Sequence, residues 1–188
     1  MHDADSIGQR SSNLLGLIVI VAVTIAAFAV GSTALFTGDL LWFIPTFNET
    51  PSAIVVHCAG QTTTQDAGST AFAGLVEAIK ADLSASKRLP DVGLSPGTQE
   101  EYWNRDLVLE VIFPKVVRVH ASFRYGEFDT LIYPISGSHS PEGIVFGRRR
   151  NVTLTGLDIR DDNTESRTAL ALREMGYAWE GARGCTGP

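Results

Sequence analysis

The stretch from Leu14 to Phe36, LLGLIVIVAVTIAAFAVGSTALF, decides the architecture of this 188-residue chain because it contains no charged residue. An α-helix rises about 1.5 Å per residue, so a helix of this length crosses a hydrocarbon layer of about 30 Å. Its few hydroxyl groups can bond to carbonyl groups of the same helix; they belong to Thr24, Ser32 and Thr33. The sequence therefore predicts one transmembrane helix near the N-terminus.

This helix divides the chain into four predicted segments. Residues 1–12 form a cytoplasmic tail, residues 13–36 the transmembrane helix, residues 37–51 a juxtamembrane linker, and residues 52–188 a water-soluble domain. A domain of that length can bury a hydrophobic core of its own.

Positively charged residues near the helix predict its orientation. Arg10 and the amino terminus precede the helix, and no Lys or Arg follows it until Lys80. Because positive charge is retained on the cytoplasmic side, we expect the N-terminus in the cytoplasm and the domain outside it.

A cleaved signal peptide is the alternative to a permanent anchor. The small residues 32–34 resemble a cleavage site, but the apolar segment is longer than the roughly 7–15 residues of a signal peptide. A second apolar patch follows at residues 40–44, and its Trp42 and Phe43 suit the membrane–water interface. The sequence favours an uncleaved signal-anchor.

Two cysteines, Cys58 and Cys185, are expected to pair if the domain lies in an oxidising compartment. Such a bridge would close a long loop and contribute about 4 kcal/mol by the chain-entropy estimate. The alternative is a buried free Cys58 and an unpaired Cys185 in a glycine-rich tail.

The domain shows a mixture of helical and strand periodicities. Residues 67–87 carry an apolar stripe at helical spacing, and Glu77, Lys80 and Asp82 are expected to lie away from it. Ser95 and Pro96 predict the start of a short helix, and a last helix is expected from Asp162 to Met175. Apolar or alternating segments predict strands at residues 53–58, 107–113, 117–124, 128–135, 143–148 and 152–159.

Pro114 is expected to interrupt the central strands, and residues 59–66 are expected to form a polar turn. Short connections between successive strands favour antiparallel pairing. We therefore predict an α+β fold, in which one transmembrane helix precedes a mostly antiparallel sheet with two main packing helices.

The net charge of −6 argues against sequence-independent binding of nucleic acid, which needs clustered Lys and Arg. The one basic run, residues 148–150, lies between two predicted strands and is interpreted as a solvated hairpin loop rather than an anion-binding patch.

One strand face offers a possible ligand site. Arg118, His120 and Arg124 alternate along a predicted strand and could bind an anionic ligand, and the loop at residues 136–141 is the alternative site for such a ligand. The alternative is an exposed face that pairs with Glu127 and Asp129 across a hairpin.

No catalytic, cofactor or metal site is predicted. His57 and Cys58 are adjacent on a strand, so their side chains point to opposite faces and cannot form a thiolate–base pair. The oxygen-rich segment 158–165 lacks the spacing of a calcium loop and is interpreted as a solvated helix cap.

These features favour a non-catalytic, single-pass accessory subunit of a larger bacterial membrane complex, with an energy-transducing complex among the candidates. Its expected partners are membrane lipid and integral membrane proteins that pack on residues 14–36, where small residues allow close approach; these are Gly16, Ala22, Ala26 and Ala27. The alternatives are a membrane-tethered ligand-binding or sensor domain and an extracytoplasmic enzyme.

Overall fold

The structure is a computed structural model that describes residues 4–44, 46–84, 86–88, 92–120, 127–140, 143–150, 152–159, 165–180 and 183–188. Within these residues the helices are α1 (Ala4–Thr37), α2 (Thr70–Ser84), α3 (Pro96–Arg105) and α4 (Arg167–Glu174). The strands are β1 (Ala53–Cys58), β2 (Gln61–Thr64), β3 (Lys87–Arg88), β4 (Leu107–Val117), β5 (Phe128–Pro134), β6 (Ile144–Arg149), β7 (Val152–Asp158), β8 (Ala178–Glu180) and β9 (Arg183–Thr186).

Helix α1 has the length and composition to cross a membrane over Leu14–Thr37, and it is the single such helix among the described residues. Apart from Ala34 near its C-terminal end, its apolar side chains are not buried by the rest of the described chain. The hydroxyl groups bond inside the helix as expected, since Thr24 Oγ1 donates to the Ile20 carbonyl at 2.8 Å and Thr33 Oγ1 to the Ala29 carbonyl at 2.9 Å. This removes the cost of unpaired hydroxyls in an apolar setting.

The domain is built on a seven-stranded sheet, counted over the described residues, in the order β2-β1-β4-β5-β6-β7-β3. Every pairing in it is antiparallel. The predicted α+β fold, with a mostly antiparallel sheet behind one apolar helix, is therefore confirmed.

Opposite faces of the sheet carry different layers. Helices α2 and α4 pack on one face, where they bury a large apolar cluster that includes Leu75, Leu109 and Leu172. Helix α3 covers part of the other face with Tyr102, over a smaller cluster that includes Ile132. Alternate residues of β4, β5 and β6 thus serve two cores, which explains the near-continuous apolar run at the start of β4.

Helix α2 is shorter than predicted, and one polar residue on it is buried. It ends at Ser84, and Lys87 pairs with Asp158 as part of the edge strand β3. Asp82 was expected to face solvent but is only 5 % exposed. The expectation was wrong because Asp82 meets hydrogen-bond donors that are more than 50 residues away in sequence.

Two further expectations for the strands were wrong. Residues 61–64 form β2 instead of a turn, because Ala59 and Gly60 adopt positive φ angles and close a tight hairpin with β1. Pro114 does not end β4, which continues to Val117 with a register irregularity that leaves the proline exposed. The predicted strand 117–124 is also wrong over residues 118–120, which follow β4 without strand structure, and residues 121–124 lie outside the described residues.

The last helix begins later than predicted. Ser166 caps α4 by accepting a hydrogen bond from the Ala169 N–H at 3.1 Å, while Asp162 lies outside the described residues. Gly176, with φ of +91°, follows the helix end as expected.

A disulfide joins Cys58 at the end of β1 to Cys185 in β9, with the two Cα atoms 5.4 Å apart. The predicted pairing is present in the structure. It places the C-terminal hairpin β8–β9 against the end of the sheet, where Tyr177 and the partly buried Cys185 join the larger core.

Candidate functional site: the helix–domain junction

The end of α1 is held by the domain. Gly38, with φ of +70°, ends the helix and its N–H bonds to the Ala34 carbonyl at 2.9 Å. Ala34 and Thr37 are buried although most of the helix is exposed. The chain therefore turns directly from the membrane-length helix onto the domain instead of passing through a free linker.

Asp39 is the central residue of this junction. Its side chain is 7 % exposed, and its Oδ2 lies 2.9 Å from Nδ1 of His120, while Oδ1 accepts the Leu41 N–H at 2.8 Å. Burial alone would raise the pKa of Asp39, but these two bonds and the positive charge of Arg118 together hold it below its ordinary value. Asp39 is thus ionised at neutral pH and its charge is compensated.

Arg118 contacts the junction from the other side. Its guanidinium donates to the Gly38 carbonyl and forms an ion pair with Glu127 at 3.1 Å. Glu127 also pairs with Arg149 at 2.8 Å. This chain of contacts connects the helix end with β4, β5 and the β6–β7 hairpin.

The predicted ligand face is thereby engaged inside the chain. Arg118 and His120 lie together, as expected, and the Arg118–Glu127 pair matches the cross-strand alternative. Arg124 lies outside the described residues. Binding of an external anion at this face stays a prediction, and such an anion would compete with Gly38, Asp39 and Glu127.

The predicted membrane-interface residues follow the junction. Phe43 is 55 % exposed and meets the ring of Trp42 edge to face. The indole Nε1 of Trp42 is buried without a hydrogen-bond partner among the described residues. A few residues later, Phe47 is fully buried against Phe113 and Phe128, so the segment predicted as a linker also supplies part of the core.

A second polar cluster lies on the sheet face that α3 leaves partly open. Glu110 accepts hydrogen bonds from Nε2 of His57 at 3.4 Å and from Arg148, and Thr62 Oγ1 approaches His57 Nδ1 at 3.4 Å. The His57 bond, with the charge and hydrogen bond of Arg148, outweighs burial and lowers the pKa of Glu110. The His57 ring also lies 5.2 Å from that of Trp103, so the cluster is well packed.

The sequence did not indicate that Glu110 binds Arg148, because 38 residues separate them. The basic run 148–150 was predicted to be a solvated hairpin loop, but Arg148 and Arg149 belong to β6 and pair with β7, and Arg150 alone of the three lies in the turn. Two of its arginines are paired with acids, to Glu110 and Glu127.

A surface pocket of about 350 Å³ lies beside the disulfide, between the start of β2 and the C-terminus. Gln61, Thr63 and Tyr177 supply polar side chains to its lining.

Among the described residues, no group of three or more His, Cys, Asp or Glu side chains is placed to hold a metal ion. Most of the oxygen-rich segment 158–165 lies outside the described residues. In the loop after β5, Ser136 is fully buried and accepts the Leu107 N–H at 2.7 Å, which is a structural role.

Comparison with protein-family models, with curated proteins and with solved structures found no match for this chain.

Proposed function

We propose that this chain is a non-catalytic, single-pass accessory subunit of a larger bacterial membrane protein complex. The observation that carries the proposal is the contrast within α1. The helix is long and apolar enough to cross a membrane and is uncovered by its own chain, whereas its C-terminal end is fixed to the domain by Gly38 and Asp39. An anchor held in this way sets the position of the domain relative to the membrane.

Two further observations support an anchor with protein partners. The helix carries small residues that permit close helix packing in lipid, and a Cβ added at Gly16 or Gly31 would meet nothing within 4 Å in this chain. These positions are therefore open to a neighbouring helix.

The orientation is part of the same proposal, with the domain outside the cytoplasm. The absence of Lys and Arg between Arg10 and Lys80 supports it. So does the Cys58–Cys185 pairing, since disulfides persist in oxidising compartments.

Extraction from the native membrane in mild detergent, followed by pull-down through this chain and mass spectrometry, tests the proposal. We expect integral membrane proteins to copurify, and we expect the double variant Ala22→Leu/Ala26→Leu to lose them. The variant Ile20→Leu, which keeps side-chain volume, is the matched control. A chain that runs as a monomer with no copurifying protein would contradict the proposal.

The same preparation separates an anchor from a cleaved signal. An intact chain mass that includes residues 1–36 is expected. A mass that begins after Ala34 would show that the apolar helix is removed and would also contradict the proposal.

A further inference from the structure

The end of the sheet that contacts α1 is formed by the end of β4, the start of β5 and the β6–β7 turn. Val117 at the end of β4 pairs with Phe128 at the start of β5, and Arg148 near the end of β6 pairs with Thr130. Arg149 then pairs with Val152 across the turn into β7. The β6–β7 turn therefore lies at the same end of the sheet as the junction with α1.

Exposed apolar side chains are concentrated at this end. Outside α1, the large hydrophobic residues that are exposed in the described part of the chain are, with the exception of Leu170, all found here. They are Leu40, Leu41, Phe43, Ile44, Val116 and Val152. Leu40 and Val152, at 79 % and 64 % exposure, are the most exposed of them. We call this set, together with Arg150, the basal surface.

Charge at this end is balanced, although the chain as a whole carries −6. Glu127 is shared by two arginines, and Glu49 pairs with Lys115 at 3.0 Å. Asp39 contacts His120, and Asp129 accepts a hydrogen bond from Thr130. Arg150, in a left-handed conformation at the β6–β7 turn, is exposed. The basic side chains at this end of the domain therefore offset the repulsion between its carboxylates and lipid phosphates.

We propose that the basal surface rests on the phospholipid bilayer, with Val152 and the residues after α1 in the interfacial layer and Arg150 directed at lipid phosphates. This inference rests on the proposed function, because it requires α1 to span the membrane. Lipid is the proposed contact of this surface because the apolar turn at residues 40–44 begins three residues after the candidate membrane span ends, and so lies next to the bilayer. Apolar side chains beside a cationic one are the combination that interfacial segments use.

The domain is then held at two places, by the turn after α1 and by the β6–β7 turn. The ion pairs of Glu127 with Arg118 and Arg149 join these two places through the protein. A rigid connection of this kind lets the second contact fix the tilt of the domain, which one helix alone would leave free.

The test uses the full chain in vesicles of phosphatidylcholine and phosphatidylglycerol, with the native disulfide kept oxidised. An environment-sensitive fluorophore is attached to Val152→Cys, to Glu101→Cys on α3 as an exposed control at the far end of the domain, or to Val23→Cys within α1. Nitroxide lipids quench fluorophores that contact the bilayer. We expect headgroup nitroxides to reduce the emission at position 152 several-fold and to leave position 101 unchanged.

The outcomes separate the two proposals. Quenching at position 23 by acyl-chain nitroxides without quenching at position 152 would overturn the basal contact and leave the anchor intact. Absence of quenching at position 23 would also contradict the proposal that α1 spans the membrane. A blue shift at position 152 without quenching would mean contact with protein instead of lipid, and that result also overturns the inference.

The charge contribution is tested in the same vesicles. Arg150→Glu should reduce the quenching at position 152, whereas Arg105→Glu, an exposed arginine in the last turn of α3, should not. Equal quenching at position 152 in the parent chain and in Arg150→Glu would show that Arg150 does not contribute to the membrane contact.

Discussion

Asp82 joins two helices and the sheet through a single carboxylate. It accepts hydrogen bonds from Tyr133 Oη, from the N–H groups of Arg167 and Thr168 at 3.0 Å, and from Thr168 Oγ1 at 2.7 Å. The N–H groups belong to the first turn of α4, where the helix dipole favours a negative charge. Burial, together with the charge of Asp82 and its hydrogen bond, raises the pKa of Tyr133 well above its usual value, so Tyr133 remains a donor.

Replacing Asp82 by Asn should lower the free energy of unfolding by about 1–3 kcal/mol, because an amide nitrogen would face donors that need an acceptor. Chemical denaturation measures the change. The exposed Asp66→Asn is the control, since it accepts only a local backbone bond from Gly68. Equal midpoints for the Asp82 variant and the parent chain would show that the cluster contributes nothing to stability.

Gly137 occupies a position that other residues cannot share. Its φ is +103°, and an added Cβ would lie 2.7 Å from both Asp106 Oδ2 and Tyr102 Cε1. Gly137→Ala should therefore destabilise the domain by about 1–3 kcal/mol through overpacking and backbone strain. Gly97→Ala in α3 meets nothing within 4 Å and should be neutral or slightly stabilising in the same thermal unfolding assay. Similar shifts in the two variants would contradict this reasoning.

Because of Glu110, the free energy of unfolding of the domain should vary with pH in the acidic range. Because folding lowers its pKa below the ordinary value of 4.5, its contribution is fully present above about pH 4.5 and is lost as pH falls through the lowered value. Glu110→Gln should cost about 1–3 kcal/mol at pH 7, since two charge-assisted bonds are weakened. Thermal unfolding from pH 7 to pH 3 should show the difference from the parent chain shrinking as pH falls. A difference that stays constant with pH would assign the effect to packing.

At the scale of elements, the sequence predicts those features that local patterns determine. The apolar length of α1, the alternation of β4 and the Ser95 cap of α3 depend on neighbours within a few residues, and the structure contains all three. Periodicity gave the wrong position for Asp82, because a polar residue on a helix is normally solvated and its donors could not be foreseen. The β1–β2 hairpin was missed because Gln61–Thr64 is polar and exposed, so it lacks the apolar alternation of a strand.

The junction could be predicted only in part for the same physical reason. Gly38 after a long apolar helix indicates a helix end, and Arg118 and His120 alternate on one side of the chain. Their contacts with Gly38 and Asp39 span about 80 residues of sequence, so only the tertiary fold brings them together. The pairing of Cys58 with Cys185 was predictable despite its long span, because two cysteines allow a single bridge.

The C-terminal hairpin β8–β9 depends on that bridge. Its other connections to the core include the packing of Trp179 and the burial of the preceding Tyr177. Cys185→Ser should lower the stability of the chain by several kcal/mol, with about 5 kcal/mol as the chain-entropy value for a bridge between residues 127 apart in sequence. It should also expose the residues after Tyr177 to protease without changing membrane insertion. Resistance of the tail to trypsin in this variant would mean that packing alone holds the hairpin.

At the scale of the whole molecule, the helix and the domain are expected to move as one body because of the contacts at Gly38 and Asp39. The distance between spin labels at Val23→Cys in α1 and Glu101→Cys in α3, measured by pulsed electron resonance in vesicles, should then have a narrow distribution.

The double variant Asp39→Asn/Arg118→Ala removes the charge and the guanidinium that hold the helix end. It should broaden the distribution while leaving the domain folded. Lys80→Ala, which removes an exposed ion pair with Glu77, is the matched control and should leave the distribution narrow. Since folding lowers the pKa of Asp39 below its ordinary value of 3.8, the parent chain should keep the narrow distribution at pH 3.8 and lose it only at lower pH, as the carboxylate takes up a proton. A distribution that is already broad in the parent chain at pH 7 would show that the junction is a flexible hinge. The domain would then have no fixed orientation relative to α1 that a partner could bind.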